Sequence, residues 1–314
     1  MKPLFTVLAS AGLVTAGLLT AGCGTGPAGS LGSVPSGPAS NGTASSGAAS
    51  PAPAGSATAP SPGGTQPSSG SASPSPAPTG RASLQAWFTK GGKLFVTERS
   101  VPATTAVATA AIGAVLAGPS AAERAAGLGS RIPPGTALLG VRIARGIATV
   151  DLSSSFLSSA GGPMPARIAQ VVYTATQFPT VRGVRFSING QSPTVLGGVP
   201  VQDPQTRAMY AGFLPAITVQ SPVIGEQVSS PVTVTGTADV FEATVSVRVL
   251  DAAGHEIART FTTATCGTGC RGDYSVALAY SVPRTQRGVI EVFESSARNG
   301  QPVHVQRIPV TLTA

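Results

Sequence analysis

The chain has 314 residues and a formal charge of +8, yet only 10% of its residues are charged and 5% are aromatic. Two histidines and three cysteines are too few for a His/Cys-rich metal centre, and no serine-hydrolase, zinc-protease or phosphate-loop motif occurs. Neither a cofactor nor a metal is implied.

Met1-Lys2, an apolar run from Leu4 and the small residues Ala21-Gly22 make residues 1–22 a secretory signal. Leu18-Leu19-Thr20-Ala21-Gly22-Cys23 resembles the lipobox of bacterial lipoproteins, with Thr20 where that motif most often has Leu. The resemblance implies acylation of Cys23, of the palmitate type, and anchorage to the outer face of the cytoplasmic membrane. The alternative is an uncleaved anchor, since about 18 apolar residues is the lower limit for a span. Ser10, Thr15, Thr20 and several glycines weaken that alternative. Either reading places the remainder outside the cytoplasm and disfavours nucleic acid as a partner.

Residues 24–80 hold no charged and no aromatic side chain, and Leu31 and Val34 are their only large apolar ones. Such a segment cannot bury enough apolar area to offset the entropy of ordering. The lipidated Cys23 and a disordered tether are therefore expected over residues 23–83. With Gly/Ser chain statistics about 60 residues span roughly 40–46 Å, more where proline stiffens them.

Residues 84–207 read as a first domain. Leu84–Phe88 and Lys93–Val96 flank Lys90-Gly91-Gly92 as a hairpin. Val107, Ala111, Ala114 and Val115 recur at helical spacing before Gly118-Pro119. Ser120-Ala121-Ala122-Glu123 has the form of a capping box. Ala137–Ile143 and Gly146–Leu152 form a second hairpin around Arg145-Gly146. Residues 165–178 read as a helix with Ile168, Val171, Val172 and Ala175 inward, and Val184–Ile188 closes the domain before Asn189-Gly190. This order predicts a small α/β sandwich, with helices packed on one sheet face.

Charge is concentrated here. Residues 84–210 carry eleven Lys and Arg against four acids, a net +7, whereas residues 216–314 carry seven Arg against eight acids, a net −1. The excess points to an anionic partner, with Arg142, Arg145, Arg182 and Arg185 as the candidate docking residues. The alternative is a soluble basic surface without a specific partner. Tyr173 and Gln177, four apart on one helical face, are a further candidate partner surface; the competing reading has Tyr173 packed on the sheet with its hydroxyl satisfied.

Leu116-Ala117-Gly118-Pro119, Ile132-Pro133-Pro134-Gly135-Thr136, Ala148-Thr149-Val150-Asp151-Leu152-Ser153, Gln170–Pro179 and Val184-Arg185-Phe186 with Asn189-Gly190 occur in succession. Together they resemble the GerMN domain of sporulation and spore germination proteins; Ala175 replaces a Leu common in that family. The resemblance implies an exported, non-catalytic binding or assembly module.

After a linker at 208–215, residues 216–314 are all-β by pattern. Strand-like runs cover Val232–Thr235, Thr244–Leu250, Glu256–Thr263, Tyr274–Leu278, Val289–Glu294 and Val303–Thr313. Ser221-Pro222, Ser230-Pro231-Val232, Val240–Thr244 and Phe293–Ala297 with Gly300 resemble the immunoglobulin-like domain of bacterial spore germination proteins. The expected fold is thus α+β: a GerMN-like α/β sandwich followed by an all-β immunoglobulin-like sandwich. Cys266 and Cys270, glycine-spaced and outside the cytoplasm, read as a loop disulfide. Glu242 and Glu294, each after a Phe, could form an acid–base or cation-binding pair; the competing reading is that each pins a loop.

These features describe a non-enzymatic envelope lipoprotein that binds or helps assemble an envelope protein, in sporulation, germination or envelope maintenance. One alternative is a module binding a cell-wall polymer, peptidoglycan or an anionic glycan, through the basic domain. Another is a glycan-acting enzyme using Glu242 and Glu294. Oligomeric state is not legible.

Overall fold

The computed structural model describes residues 80–314, so Cys23 and almost all of the tether lie outside the described residues. Strand β1 (Arg81–Lys90) begins before the expected boundary at 84 and pairs along its whole length with β2 (Lys93–Pro102). Gly91 and Gly92, at φ 57° and 78°, make the two-residue turn whose twist matches the flanking strands.

Helix α1 (Val107–Leu116) buries Ala108, Ala111, Ile112 and Val115. Of the predicted stripe Ala111 and Val115 are buried and Val107 and Ala114 half-buried, while Ala108 and Ile112 complete the buried face. The expected capping box opens α2 (Ala121–Ala125): Ser120 Oγ accepts from Glu123 N–H, and the Glu123 carboxylate accepts from Ser120 N–H.

Strands β3 (Leu138–Ala144), β4 (Ile147–Leu152) and β5 (Gly183–Ile188) form one sheet in that order, β3–β4 antiparallel and β4–β5 parallel. A parallel pair needs a crossover, which α3 (Met164–Ala175) supplies. Helix α3 is buried on nearly every face because it packs against both β1 and β5. The helices are therefore not confined to one face of one sheet, as the element order predicts: the strands divide into two small sheets with α3 packed against both. Arg167 on α3 is 1% exposed, and its guanidinium donates to the carbonyls of Arg131, Phe156, Ser158 and Gly162. It ties the loop before the helix to the helix itself.

A short hairpin, β6 (Val195–Leu196) with β7 (Val199–Pro200), precedes residues 207–213. The 3-10 turn over Arg207–Phe213, which overlaps the expected linker at 208–215, packs on α3 and buries Tyr210. Tyr210 donates to Gln205 Oε1 at 2.6 Å, and burial pushes its hydroxyl up to about 12.

The second part is a sandwich. One sheet has the order β13 (Gly272–Leu278), β10 (Val232–Ala238), β8 (Ile217–Ser221). The other runs β12 (Glu256–Thr263), β11 (Thr244–Leu250), β14 (Gln286–Ser295), β15 (Pro302–Leu312), β9 (Gln227–Val228). Val245, Val247 and Val249 of β11 are fully buried, as their alternation requires. Gly236 of β10 lies where an added Cβ would meet Thr218 O and the Tyr274 ring. Buried apolar residues form one continuous core from Ala86 to Leu312, spanning both domains.

Candidate binding face

The four arginines singled out by charge converge on the β3–β4–β5 sheet. Arg145, at φ 51°, and Gly146, at φ 81°, form the tight β3–β4 turn. Pairing then aligns Arg142 with Thr149 and Thr149 with Arg185, one row across three strands. The alternate positions Ala148, Val150, Val184 and Phe186 are buried, so this row lies on the opposite, outer face. Two strand spacings separate Arg142 from Arg185, about 10 Å along the row. Arg182 N–H donates to Gly146 O at 2.7 Å and its guanidinium reaches Arg145 O at 3.4 Å, which sets that pair at one end of the sheet.

All four arginines are exposed, and none forms an ion pair among the described residues. Asp151, two residues from Thr149 on the same side of β4, accepts from Gly190 N–H at 3.0 Å. On β3, Leu139 stands in the register shift between Leu138 and Gly140, and Ile143 pairs with Ala148 on the face opposite Arg142; they are 52% and 45% exposed. The arginine face thus carries positive charge without an ion-pair partner among the described residues.

Tyr173 and Gln177 are not part of an open surface. Tyr173 is 2% exposed, its ring lies 4.9 Å from that of Trp87, and its hydroxyl donates to Arg207 O. Burial raises its pKa, against the pull of Arg207 and Arg271. The Gln177 amide exchanges two bonds of 2.8 Å with the Gln85 backbone, holding β1 to the end of α3. Both side chains are spent inside the domain, which corrects the reading of a partner surface there.

Cys266 and Cys270 form the expected disulfide. Glu242 and Glu294 sit at one end of the sandwich but act differently. Glu294 accepts from Phe241 N–H at 3.2 Å and meets His304 Nδ1 at 2.7 Å. Glu242 lies in a left-handed turn (φ 52°), its N–H donating to Thr268 Oγ1, and its carboxylate is exposed and makes no hydrogen bond. They pin and decorate a loop and do not face each other across a cleft. No cluster of three or more His, Cys, Asp or Glu side chains suited to a metal occurs among the described residues.

Sequence reasoning passed over Glu291, a fully buried carboxylate on β14. Arg248 holds its Oε2 at 2.6 Å and Arg307 its Oε1 at 2.8 Å, from the two neighbouring strands. Its signal was an acid in an otherwise apolar run, Val289-Ile290-Glu291-Val292-Phe293.

The fold is that of a two-domain, β-rich scaffold. Residues 87–194 match the family model for sporulation and spore germination, and residues 216–301 match that for the immunoglobulin-like domain of bacterial spore germination. The chain therefore joins a GerMN-type domain to the germination-type immunoglobulin-like domain, in the order the motifs imply. Among solved structures, the first GerMN domain of the Bacillus subtilis sporulation protein GerM is 21% identical; the match covers 40% of this chain and 98% of that one, with a TM-score of 0.33. The tandem GerMN domains of the same protein are 14% identical over 74% of this chain and 61% of that one, with a TM-score of 0.37. These overlays are loose, and the assignment rests on the family models. No curated protein matches the chain. Among the described residues no helix is long and apolar enough to cross a membrane.

Proposed function

We propose that the chain is a non-enzymatic, lipid-anchored envelope protein whose β3–β4–β5 face docks an acidic protein partner during sporulation, germination or envelope maintenance. The observation carrying this reading is a set of four exposed arginines without ion-pair partners among the described residues, Arg142 and Arg185 on the outer face of one sheet and Arg145 and Arg182 at its end. Desolvating such a surface is favourable only against matching negative charge. The lipobox at Cys23 supplies the anchor and the stretch from 24 to 80 the reach.

Crosslinked capture of the full chain from cells, quantified by mass spectrometry, tests it. Arg→Gln changes at Arg142, Arg145, Arg182 and Arg185 should remove one stoichiometric envelope protein while leaving the melting temperature unchanged. Retention of that protein by the quadruple variant, or recovery of wall fragments alone, displaced by salt, sinks the reading.

A further inference from the structure

A second site lies away from that face, where the two domains meet. A cavity of about 430 Å³ is lined by Trp87 and Tyr173 of the first domain, by Arg207, and by Asp239, Cys270 and Arg271 of the second. That volume is within the roughly 300–1,000 Å³ usual for small-molecule sites.

Its two cations are fixed in place and lack carboxylate partners. The Arg207 guanidinium stacks over Trp87 and Tyr173, 5.7 and 4.8 Å from the ring centroids. Its Nε donates to Thr176 Oγ1 at 2.8 Å and its Nη2 to Tyr173 O at 3.0 Å, which leaves Nη1 without an acceptor. Arg271 enters from the disulfide loop: Nη2 donates to Pro215 O at 2.6 Å and Nη1 to Thr237, leaving Nε without an acceptor. Neither guanidinium forms an ion pair, and burial lowers the pKa of both. Two half-buried guanidiniums with no carboxylate on their free nitrogens favour an anion in the cavity between them.

The available charge selects which one. Asp239, whose Oδ1 accepts from Gly269 N–H at 2.9 Å, partly offsets Arg271. Two guanidiniums less one carboxylate leave room for a single negative charge, which fits a carboxylate and not a phosphate dianion. Trp87 adds an apolar wall and a buried indole N–H that has no acceptor among the described residues. We propose that this cavity binds a small carboxylate, either a free acid or the C-terminus of a peptide. The site is independent of the docking face, and either can fail without the other.

Trp87 is the only tryptophan in the chain, so its indole ¹⁵N–H resonance reports on this cavity alone. The full chain would be titrated with N-acetyl-alanine, N-acetyl-alaninamide, acetate, N-acetyl-Ala-Ala and inorganic phosphate. The resonance should move saturably with N-acetyl-alanine and not with its amide. Acetate binding as tightly as the capped dipeptide identifies a free-acid site; preference for the dipeptide identifies a peptide C-terminus. Arg271→Gln should weaken binding about tenfold or more, the usual loss for a hydrogen bond to a charged group. Asp239→Asn should tighten it about fivefold, from removal of a repelling charge at close range. A gain of affinity cannot arise from unfolding, so this variant carries the test if Arg271→Gln misfolds. No shift with any carboxylate, an equal shift with the amide, tighter binding of phosphate, or unchanged affinity in Asp239→Asn overturns the proposal.

Discussion

Replacing Glu123 with Gln keeps the shape of a side chain that is 2% exposed and removes its charge. The carboxylate accepts from Thr97 Oγ1 at 2.5 Å, from Arg99 Nη1 and Nη2 at 2.7 and 2.6 Å, and from Ser120 N–H at 2.6 Å. An amide brings one oxygen and one NH₂ group, so a donor must face a donor whichever way it turns. The reciprocal bond of the cap is worth about 1 kcal/mol. Breaking a fully buried ion pair costs about 3–5 kcal/mol, an upper bound here because the Arg99 side chain is 23% exposed and can rehydrate. The expected loss is about 2–3 kcal/mol, read by urea unfolding of the full chain with circular dichroism. Burial alone would raise the pKa of Glu123, but the bonds from Arg99, Thr97 and Ser120 outweigh it and hold the carboxyl below its ordinary value. A carboxyl depressed in the folded state contributes stability that is present above its unfolded pKa and is lost as pH falls through the folded one. The gap between wild type and E123Q should therefore narrow from about pH 7 to about pH 3. A loss below about 0.5 kcal/mol at neutral pH, within the range of ordinary surface changes, refutes the reasoning, as does a gap that widens on acidification.

Two further perturbations probe the frame that positions the sites. Arg167→Met should cost about 3–5 kcal/mol, because it strands the carbonyls of Arg131, Phe156, Ser158 and Gly162 that the guanidinium now satisfies. Calorimetric melting checks it, and a variant as stable as wild type would show that water replaces the cation freely. Gly236→Ala should cost about 1–3 kcal/mol by overpacking, since the new Cβ meets Thr218 O and the Tyr274 ring. The Tyr274 hydroxyl, which donates to Thr218 O at 2.8 Å, should then lose its bond, visible as a changed tyrosine resonance; an unmoved resonance would count against the contact.

What could be read from the sequence was local. Gly91-Gly92 fixed a hairpin through backbone conformation, and Ser120 with Glu123 fixed a helix start through two reciprocal bonds three residues apart. The alternation of Val245, Val247 and Val249 required a one-sided strand. Strand β8 escaped although Ile217 and Val219 alternate with Thr218 and Gln220, because it is five residues long and Thr218 is itself buried. The division of the first domain into two sheets was not legible, since no local pattern records which strands α3 will touch.

The arginine-bearing face and the cavity differ in the same way. Arg142 and Arg145 lie on one hairpin and Arg182 and Arg185 at one strand, so a regional charge excess pointed to them before any register was known. The cavity draws Trp87, Tyr173, Arg207 and Arg271 from four distant segments, and each alone reads as an ordinary core or surface residue. Glu242 and Glu294 show the converse error: the repeated Phe-Glu pair suggests a constellation, yet one carboxylate holds Phe241 N–H and His304 while the other points to solvent from a turn. Repetition of a dipeptide does not give its residues one setting: Phe241 and Glu242 lie in a 3-10 turn, Phe293 and Glu294 on β14. Convergence of unpaired charge on one open surface depends on register, and register is set by the core beneath it.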